Sequence, residues 1–341
     1  MRAGVRLPMA AFIVVMLAPL MGCGGTHGPA ETPAGKPPTL PPVGDSSGTI
    51  FYYDNTLGQV RSMAWDGSNP QQYQVAGVEP GFNFDVSHAT TNRYMIYRNS
   101  SSKQLCIQTL DAAVTTPIYG DGATFGAMNP CLSRDDTMVS FVHIVYATRQ
   151  WASDGNWVAD IVYQGGLPVA LANARQVAWV SDYTAMLSPL KDAFAQQAVA
   201  GTRFDIFVVN VATGATRNIT NSAKLDEFGP DWSPALAGGG SRIAFACTLL
   251  SNGGSNRVGY DIWTTLPDGS SGVKAISKTN SGVAWNVRPV WSPDGNQIIF
   301  LGKNKESDTV YAFMRSAADG STTAAQLTGF TLNPSSVVWV P

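Results

Sequence analysis

Residues 288–302 read RPVWSPDGNQIIFLG and residues 229–247 read GPDWSPALAGGGSRIAFAC, the same strand-turn-strand phrase written twice. Internal repetition of this length constrains a fold more than composition does, because each copy is one supersecondary unit that buries its apolar face against the next copy. Within the phrase, apolar residues alternate with a period of two, the spacing of a strand. Pro293-Asp294-Gly295 then supplies a fixed φ, a side chain that bonds its own backbone and a residue tolerant of positive φ, which together turn a tight hairpin. A helical reading fails because Pro and Gly recur too often along the chain.

Extending the phrase gives a unit of four strands: one ending in Trp-Ser-Pro, one reading Ile-Ala-Phe, one reading Asp-Ile-Tyr/Phe-Val, and a short one ending Ile-Thr. The segment 205–220, DIFVVNVATGATRNIT, aligns without gaps on 104–119, QLCIQTLDAAVTTPIY, and 129–143, NPCLSRDDTMVSFVH, lies over 288–302. QVAWVSDYTAML (176–187) and NFDVSHATTNRYMIY (83–97) are weaker copies. Complete units are expected at 83–119, 129–171, 176–220, 229–277 and 288–328. The folded part starts with three strands, in TIFYYD, VRSMAWDG and QYQ, and ends with one, SVVWVP. One strand plus three completes a further unit. The expected fold is therefore all-β, a six-bladed β-propeller of four-stranded antiparallel blades closed by the C-terminal strand joining the N-terminal blade.

With Trp232-Ser233-Pro234 and Trp291-Ser292-Pro293-Asp294-Gly295 in hand, the chain resembles the TolB-like, WD-repeat-like propeller family over nearly all of residues 49–341. The resemblance implies a six-bladed propeller that serves as a non-catalytic binding scaffold. TolB proper carries a separate α/β domain before its propeller and is not lipid-anchored, so partner residues are not transferred from it.

The N-terminal region reads differently. Arg2 and Arg6 precede an apolar run, Leu7–Met21, too short to span a bilayer, and Leu20-Met21-Gly22-Cys23 looks like a bacterial lipobox. Residues 1–22 are expected to be a lipoprotein signal peptide and Cys23 the lipidated residue, with Gly24 matching the outer-membrane-sorted class. Residues 23–48, rich in Gly, Pro and Thr, form a tether with a reach of roughly 25–30 Å. Gly44-Asp45-Ser46-Ser47-Gly48 matches a hydrolase nucleophile pattern, yet it lacks the strand before it and the helix after it that the pattern needs. Losing Arg2 and Arg6 leaves a net charge near −4 with no basic block, which argues against nucleic acid or anionic membranes as partners of the folded part. With Cys23 acylated, Cys106, Cys131 and Cys247 remain; a Cys106–Cys131 pair would join different strands of neighbouring units, and buried free thiols are the favoured reading.

Binding is expected on the face carrying the second-to-third-strand loops, read as 144–158, 188–203 (a short capped helix) and 248–259. Beside them lie blade-to-blade connections carrying Asp226-Glu227-Phe228 and Trp285-Asn286-Val287-Arg288. The candidate surface is Trp151, Trp157, Phe194, Asp226, Glu227, Phe228, Trp285 and Arg288, because aromatic and Arg side chains anchor interfaces. The alternative is that these aromatics cap their own loops. Trp232 and Trp291 are assigned to inter-blade core. No catalytic residue, metal or cofactor is expected. The three histidines, His27, His88 and His143, do not share a loop face, and an acidic turn such as Asp135-Asp136 is ordinarily solvated. The expected function is a monomeric, outer-membrane-tethered protein-interaction scaffold; glycan or peptidoglycan capture and a polysaccharide lyase or hydrolase are the alternatives.

Overall fold

The computed structural model describes residues 47–341 apart from 76, 81–82, 111–113, 148–149, 179–185, 191–192, 201–202, 211–212, 223–224, 235, 237–239, 251–256, 271–273, 276–284, 304–310, 319, 321–323 and 328–333. Cys23, the signal segment and most of the tether lie outside the described residues. All regular structure among the described residues is strand.

The first sheet contains β1 (Thr49–Asp54), β2 (Gln59–Ala64) and β3 (Gln71–Tyr73). The second contains β4 (Phe84–Val86), β5 (Tyr94–Arg98), β6 (Leu105–Thr109) and β7 (Thr115–Tyr119). The third contains β8 (Phe125–Leu132), β9 (Met138–Ala147), β10 (Gln150–Gln164) and β11 (Leu167–Ala178). The fourth contains β12 (Met186–Leu190), β13 (Ala193–Ala200), β14 (Arg203–Asn210) and β15 (Thr216–Asn218). The fifth begins with β16 (Glu227–Trp232), β17 (Ile243–Leu250), β18 (Arg257–Thr265) and β19 (Lys274–Ala275). It continues with β20 (Trp285–Trp291), β21 (Gln297–Lys303), β22 (Ala312–Ala317) and β23 (Ala325–Gln326). The last strand, β24 (Pro334–Val340), returns to the first sheet, giving the order β24-β1-β2-β3.

Hydrogen bonding thus makes five sheets, four of four strands and one of eight, where the sequence reading expects six separate units. The merger has a local cause: a single parallel pairing, Tyr260 with Trp285, joins β18 to β20 and fuses two four-strand runs. Two boundaries also differ from expectation. Gln176–Ala178 ends β11 rather than opening the next unit, whose first described strand is Met186–Leu190. The helix expected over 188–203 is instead strand on both sides of 191–192, with Leu190 paired to Ala193 and Phe194 to Val209.

Burial orders the strands within each sheet. β4 and β20 are buried along their whole length, whereas the fourth strands β3, β7 and β15 are largely exposed. The first strands neighbour one another in succession: β4 with β8, β8 with β12, β12 with β16, β16 with β20, β20 with β24 and β24 with β4. A strand flanked on both faces by other sheets needs apolar side chains on both faces. That is why the Trp-Ser-Pro tryptophans are core: Trp232 packs with Ile206 of β14 and Phe245 of β17, and Trp291 with Ala244, Ala246 and Ile262. The architecture is an all-β propeller. Its first and last strands meet in antiparallel register, Thr49 opposite Val340, Ile50 opposite Trp339 and Phe51 opposite Val338.

The repeated turn is built identically where its residues differ. Ser292 Oγ donates to Asp294 Oδ1 at 2.5 Å and accepts the Gln297 amide at 2.9 Å; Ser133 Oγ donates to Asp135 Oδ1 at 2.7 Å and accepts the Met138 amide at 2.9 Å. Gly295 has φ 73°, and Asp136 takes its place at φ 57°. Asp136 is anchored there by the neighbouring sheet: its carboxylate accepts the amides of His88 and Ala89, each at 3.1 Å, and contacts His88 Nδ1 at 3.1 Å.

Candidate functional site

Antiparallel order brings the starts of the first and third strands and the ends of the second strands to one end of each sheet. At the seam between the two halves of the eight-stranded sheet, this end carries a run of aromatic rings crossed by two cations. Phe228 meets Tyr260 edge-on, with centroids 4.7 Å apart at 90°, and Tyr260 meets Trp285 at 5.2 Å and 78°. The Arg257 guanidinium lies 5.3 Å from the centroids of both Tyr260 and Trp285, and its Nη1 donates to the Tyr260 hydroxyl at 2.6 Å. Lys303 Nζ sits 6.0 Å from the Trp285 ring and 5.0 Å from the Tyr311 ring. Arg257 is exposed, Phe228, Tyr260, Lys303 and Tyr311 are half-buried, and Trp285 is buried. Cation-aromatic contacts of this spacing fix long side chains that would otherwise be mobile, so two positive charges are held over an apolar floor.

Beneath this rim the polar groups are enclosed. Asn286 Nδ2 donates to Asp261 Oδ1 at 3.2 Å, and burial pushes the Asp261 carboxyl up to about 6. Glu227 accepts from Thr220 Oγ1 at 3.4 Å; burial, reinforced by neighbouring Asp205, pushes its carboxyl up to about 8. Burial, and next the Glu227 carboxyl, raise the Cys247 thiol. Cys106, Cys131 and Cys247 are all buried free thiols. Among the described residues no group of three or more His, Cys, Asp or Glu side chains lies together as metal ligands would.

Deeper along the first strands, one register position recurs at a bulge. Register shifts fall between Met128 and Cys131, between Phe228 and Asp231, and between Val287 and Val290. Each bulge holds a positive-φ residue followed by proline: Asn129 at 51°, Gly229 at 61° and Arg288 at 55°. The matching positions are Asn83, the residue before β4, and Ser336 in β24. These positions meet: the Asn83 backbone N–H donates to Asn129 Oδ1 at 3.1 Å, Arg288 Nη1 donates to Asn83 Oδ1 at 3.4 Å, and Ser336 Oγ accepts from the Phe84 backbone N–H at 3.4 Å.

The structure redistributes the residues expected on exposed loops. Phe228 and Trp285 do come together, but on strands, at the seam described above. Glu227 is 2% exposed and Arg288 1% exposed, because both belong to first strands that face the inside of the propeller. Asp226 is half-buried and binds backbone: its Oδ1 accepts the Phe204 amide at 3.2 Å, and its carbonyl accepts the Thr248 amide at 3.0 Å. Trp157 sits in β10 against His143, ring centroids 4.8 Å apart, well away in the third sheet. The segment 144–158 is strand on both sides of 148–149, where β9 and β10 pair with Trp151 opposite Tyr146. Phe194 lies in β13, and the 251–256 part of the third expected loop lies outside the described residues. Sequence reasoning missed Arg257, Tyr260, Lys303 and Tyr311. The available signal was their position, since Lys303 ends a second strand while Arg257 and Tyr260 start a third.

No protein-family profile matches this sequence, and no curated protein matches it. Solved structures do resemble it. TolB from Acinetobacter baumannii superposes with a TM-score of 0.58 at 13% identity, covering 87% of this chain and 68% of that one. A TolB described as putative, from Agrobacterium tumefaciens, gives 0.53 at 16% identity over 87% of this chain and 100% of that one. A chain from a nidogen/laminin complex gives 0.52 at 6% identity over 86% of this chain and 98% of that one. At such identities the likeness is one of fold, and it joins the repeated Trp-Ser-Pro strands and the stacked sheets in a single conclusion: this chain folds as a TolB-like β-propeller.

Proposed function

We propose that this chain is a non-catalytic protein-interaction scaffold of the bacterial cell envelope, docking its partner on the rim formed by Phe228, Tyr260, Trp285, Arg257, Lys303 and Tyr311. The carrying observation is that rim: two cations held over packed aromatic rings at one end of a rigid β scaffold. Rigid aromatic and Arg side chains are the residues that concentrate binding energy at protein interfaces. A protein surface with carboxylates flanking an apolar side chain is the matching partner. The likeness to TolB folds, and to a chain from a nidogen/laminin assembly, supports a binding propeller.

The finer picture belongs to the same proposal. The propeller has six blades, the eight-stranded sheet counting as two, in line with the succession of six neighbouring first strands. Residues 1–22 are a signal peptide, Cys23 carries lipid, 23–48 tether the monomeric propeller (49–341), and the outer membrane is the site of anchoring. Crosslinking in cells followed by identification of captured proteins tests the function. Arg257→Ala with Lys303→Ala is expected to lower capture of the partner at least tenfold while leaving the melting midpoint within a few degrees, since Arg257 is exposed and Lys303 half-buried. Unchanged capture, or turnover of a sugar polymer by the purified protein, overturns the reading. Capture of glycan in place of protein favours the alternative, a glycan-binding propeller.

A further inference from the structure

Three ring residues of the rim each have an enclosed polar residue as chain neighbour: Phe228 follows Glu227, Tyr260 precedes Asp261 and Trp285 precedes Asn286. Glu227, Asp261 and Asn286 are 2%, 9% and 3% exposed. Alternation along a strand turns such neighbours to opposite faces, so the polar side chains lie one strand's thickness from the rings. Asn286 Nδ2 reaches Asp261 Oδ1 across the seam at 3.2 Å. Cys247 of β17 links the two carboxyls: its Sγ is 4.0 Å from Glu227 Oε1, and after burial the Glu227 and Asp261 charges both raise the thiol. Burial is the main cause that pushes Asp261 up to about 6 and Glu227 up to about 8. Both therefore change charge where an ordinary carboxyl stays ionised. Among the described residues, the charged and titratable groups on the elements packed round this pair are Asp205, Asp226, Cys247 and Arg288, with Arg257, Tyr260, Lys303 and Tyr311 on the rim itself. Cys247 stays a neutral thiol, and Arg288, pushed down to about 9 by burial, stays charged at neutral pH, so neither follows the carboxyls. His88 and His143 contact Asp136 and Trp157, in other sheets.

We propose that the rim is a proton-linked docking site, which holds an acidic partner more tightly when Glu227 and Asp261 are protonated. The linkage rests on the docking proposal above and supplies its regulation. Its sign follows from charge. Arg257 and Lys303 attract the partner's carboxylates, ionised Glu227 and Asp261 repel them from beneath, and enclosed charges are screened less by salt than exposed ones. Coupling is reciprocal: a docked carboxylate favours the protonated form of both buried groups, so docking takes up protons and tightens as pH falls.

The test uses the full-length protein in detergent and, as probe, an end-blocked peptide of glutamate alternating with leucine, titrated by calorimetry. The peptide's own carboxyls, near 4.3, stay ionised between about pH 5.5 and about pH 8. Over that range its dissociation constant is expected to be about fivefold lower at the acid end. Near neutral pH, runs in two buffers of different ionisation enthalpy are expected to show net proton uptake on binding. Glu227→Gln with Asp261→Asn keeps both side-chain shapes without the charges, and is expected to bind tightly at both ends of the range with no uptake. Equal affinity of the parent protein at the two ends overturns the linkage, as does a variant that keeps the parent's pH dependence. Binding by the parent without proton uptake also overturns it, and that measurement needs no variant to fold. The docking proposal fails by a different result. If the peptide binds at no pH, or binds an Arg257→Ala, Lys303→Ala protein as tightly as the parent, the rim is not the docking site and the linkage falls with it.

Discussion

Asp231 is fully buried, and its side chain ties two sheet halves together. Its Oδ1 accepts the amide of Trp232 at 2.9 Å and its Oδ2 the amide of Trp291 at 2.7 Å, one strand along. Asp85 repeats the device, with Val86 at 2.8 Å and Leu132 at 2.7 Å. Burial raises both carboxyls well above the usual carboxylate range, so the hydrogen bonds from main-chain N–H groups only partly offset desolvation. Removing the acceptor leaves two enclosed N–H groups unpaired. Asp231→Ala is therefore expected to destabilise the protein by about 2–4 kcal/mol in urea unfolding, well beyond any effect of the same change at the exposed turn residue Asp268. This role was invisible in the sequence, where Pro-Asp-Trp read as part of a strand motif. An aspartate one residue before the motif tryptophan looks solvated until the neighbouring strand is placed.

At the scale of elements, the strands were more legible than their ends. Alternating residues located the Trp-Ser-Pro strands, and the Ser-x-Asp turns formed as expected even where Asp136 replaces glycine. The long hairpin was misread because Ser153-Asp154-Gly155 looks like a loop. In the structure a register shift between Ser153 and Asn156 absorbs the polar residues and pairing resumes on both sides. The aromatic rim was half legible: Phe228 and Trp285 stood out by type, while Tyr260 and Arg257 required knowing that β18 lies beside β20. The seam between β14 and β16 gives a pH prediction. Asp205 of β14 accepts from Asn218 Nδ2 at 2.7 Å and from the Ser222 amide at 3.1 Å, while Glu227 of β16, pushed up to about 8, bears the proton near neutrality. An unfolded glutamate titrates near 4.3, so the fold binds the extra proton between that value and about 8. This contribution to stability is complete below about 4.3 and is lost as pH rises through about 8. Urea midpoints measured from pH 5 to pH 9 are expected to fall with pH, and Glu227→Gln is expected to flatten the upper part of that fall. An unaltered slope in the variant would remove Glu227 from the account.

For the whole molecule, the decisive contact joins residues nearly three hundred positions apart in the chain. β24 supplies Val337 and Trp339 to one apolar cluster, with Ile50, Tyr52 and Phe313, and Val338 and Val340 to another, with Phe51, Phe84 and Met95. One strand thus inserts alternate side chains into cores on both of its faces. Its hydrogen bonds also cover the edge of β1, which would otherwise present unpaired backbone groups. This pairing was readable because a three-strand start and a one-strand end complement each other in number and in motif. The eight-stranded sheet was not readable, because the Tyr260–Trp285 bridge that makes it is a contact no repeat period encodes. Deleting residues 334–341 removes the edge cover together with the buried side chains of Val337, Val338, Trp339 and Val340, whereas Trp339→Ala removes one side chain and keeps the strand. The point variant is expected to lose about 3–5 kcal/mol yet unfold in a single cooperative transition. The deletion is expected to abolish that transition and to elute as oligomers on size exclusion, because an uncovered β1 offers a template to other chains. A deletion variant that stays monomeric and melts cooperatively would show that the other sheets stand without the first, and that the pairing of the two end strands is not what holds the propeller together.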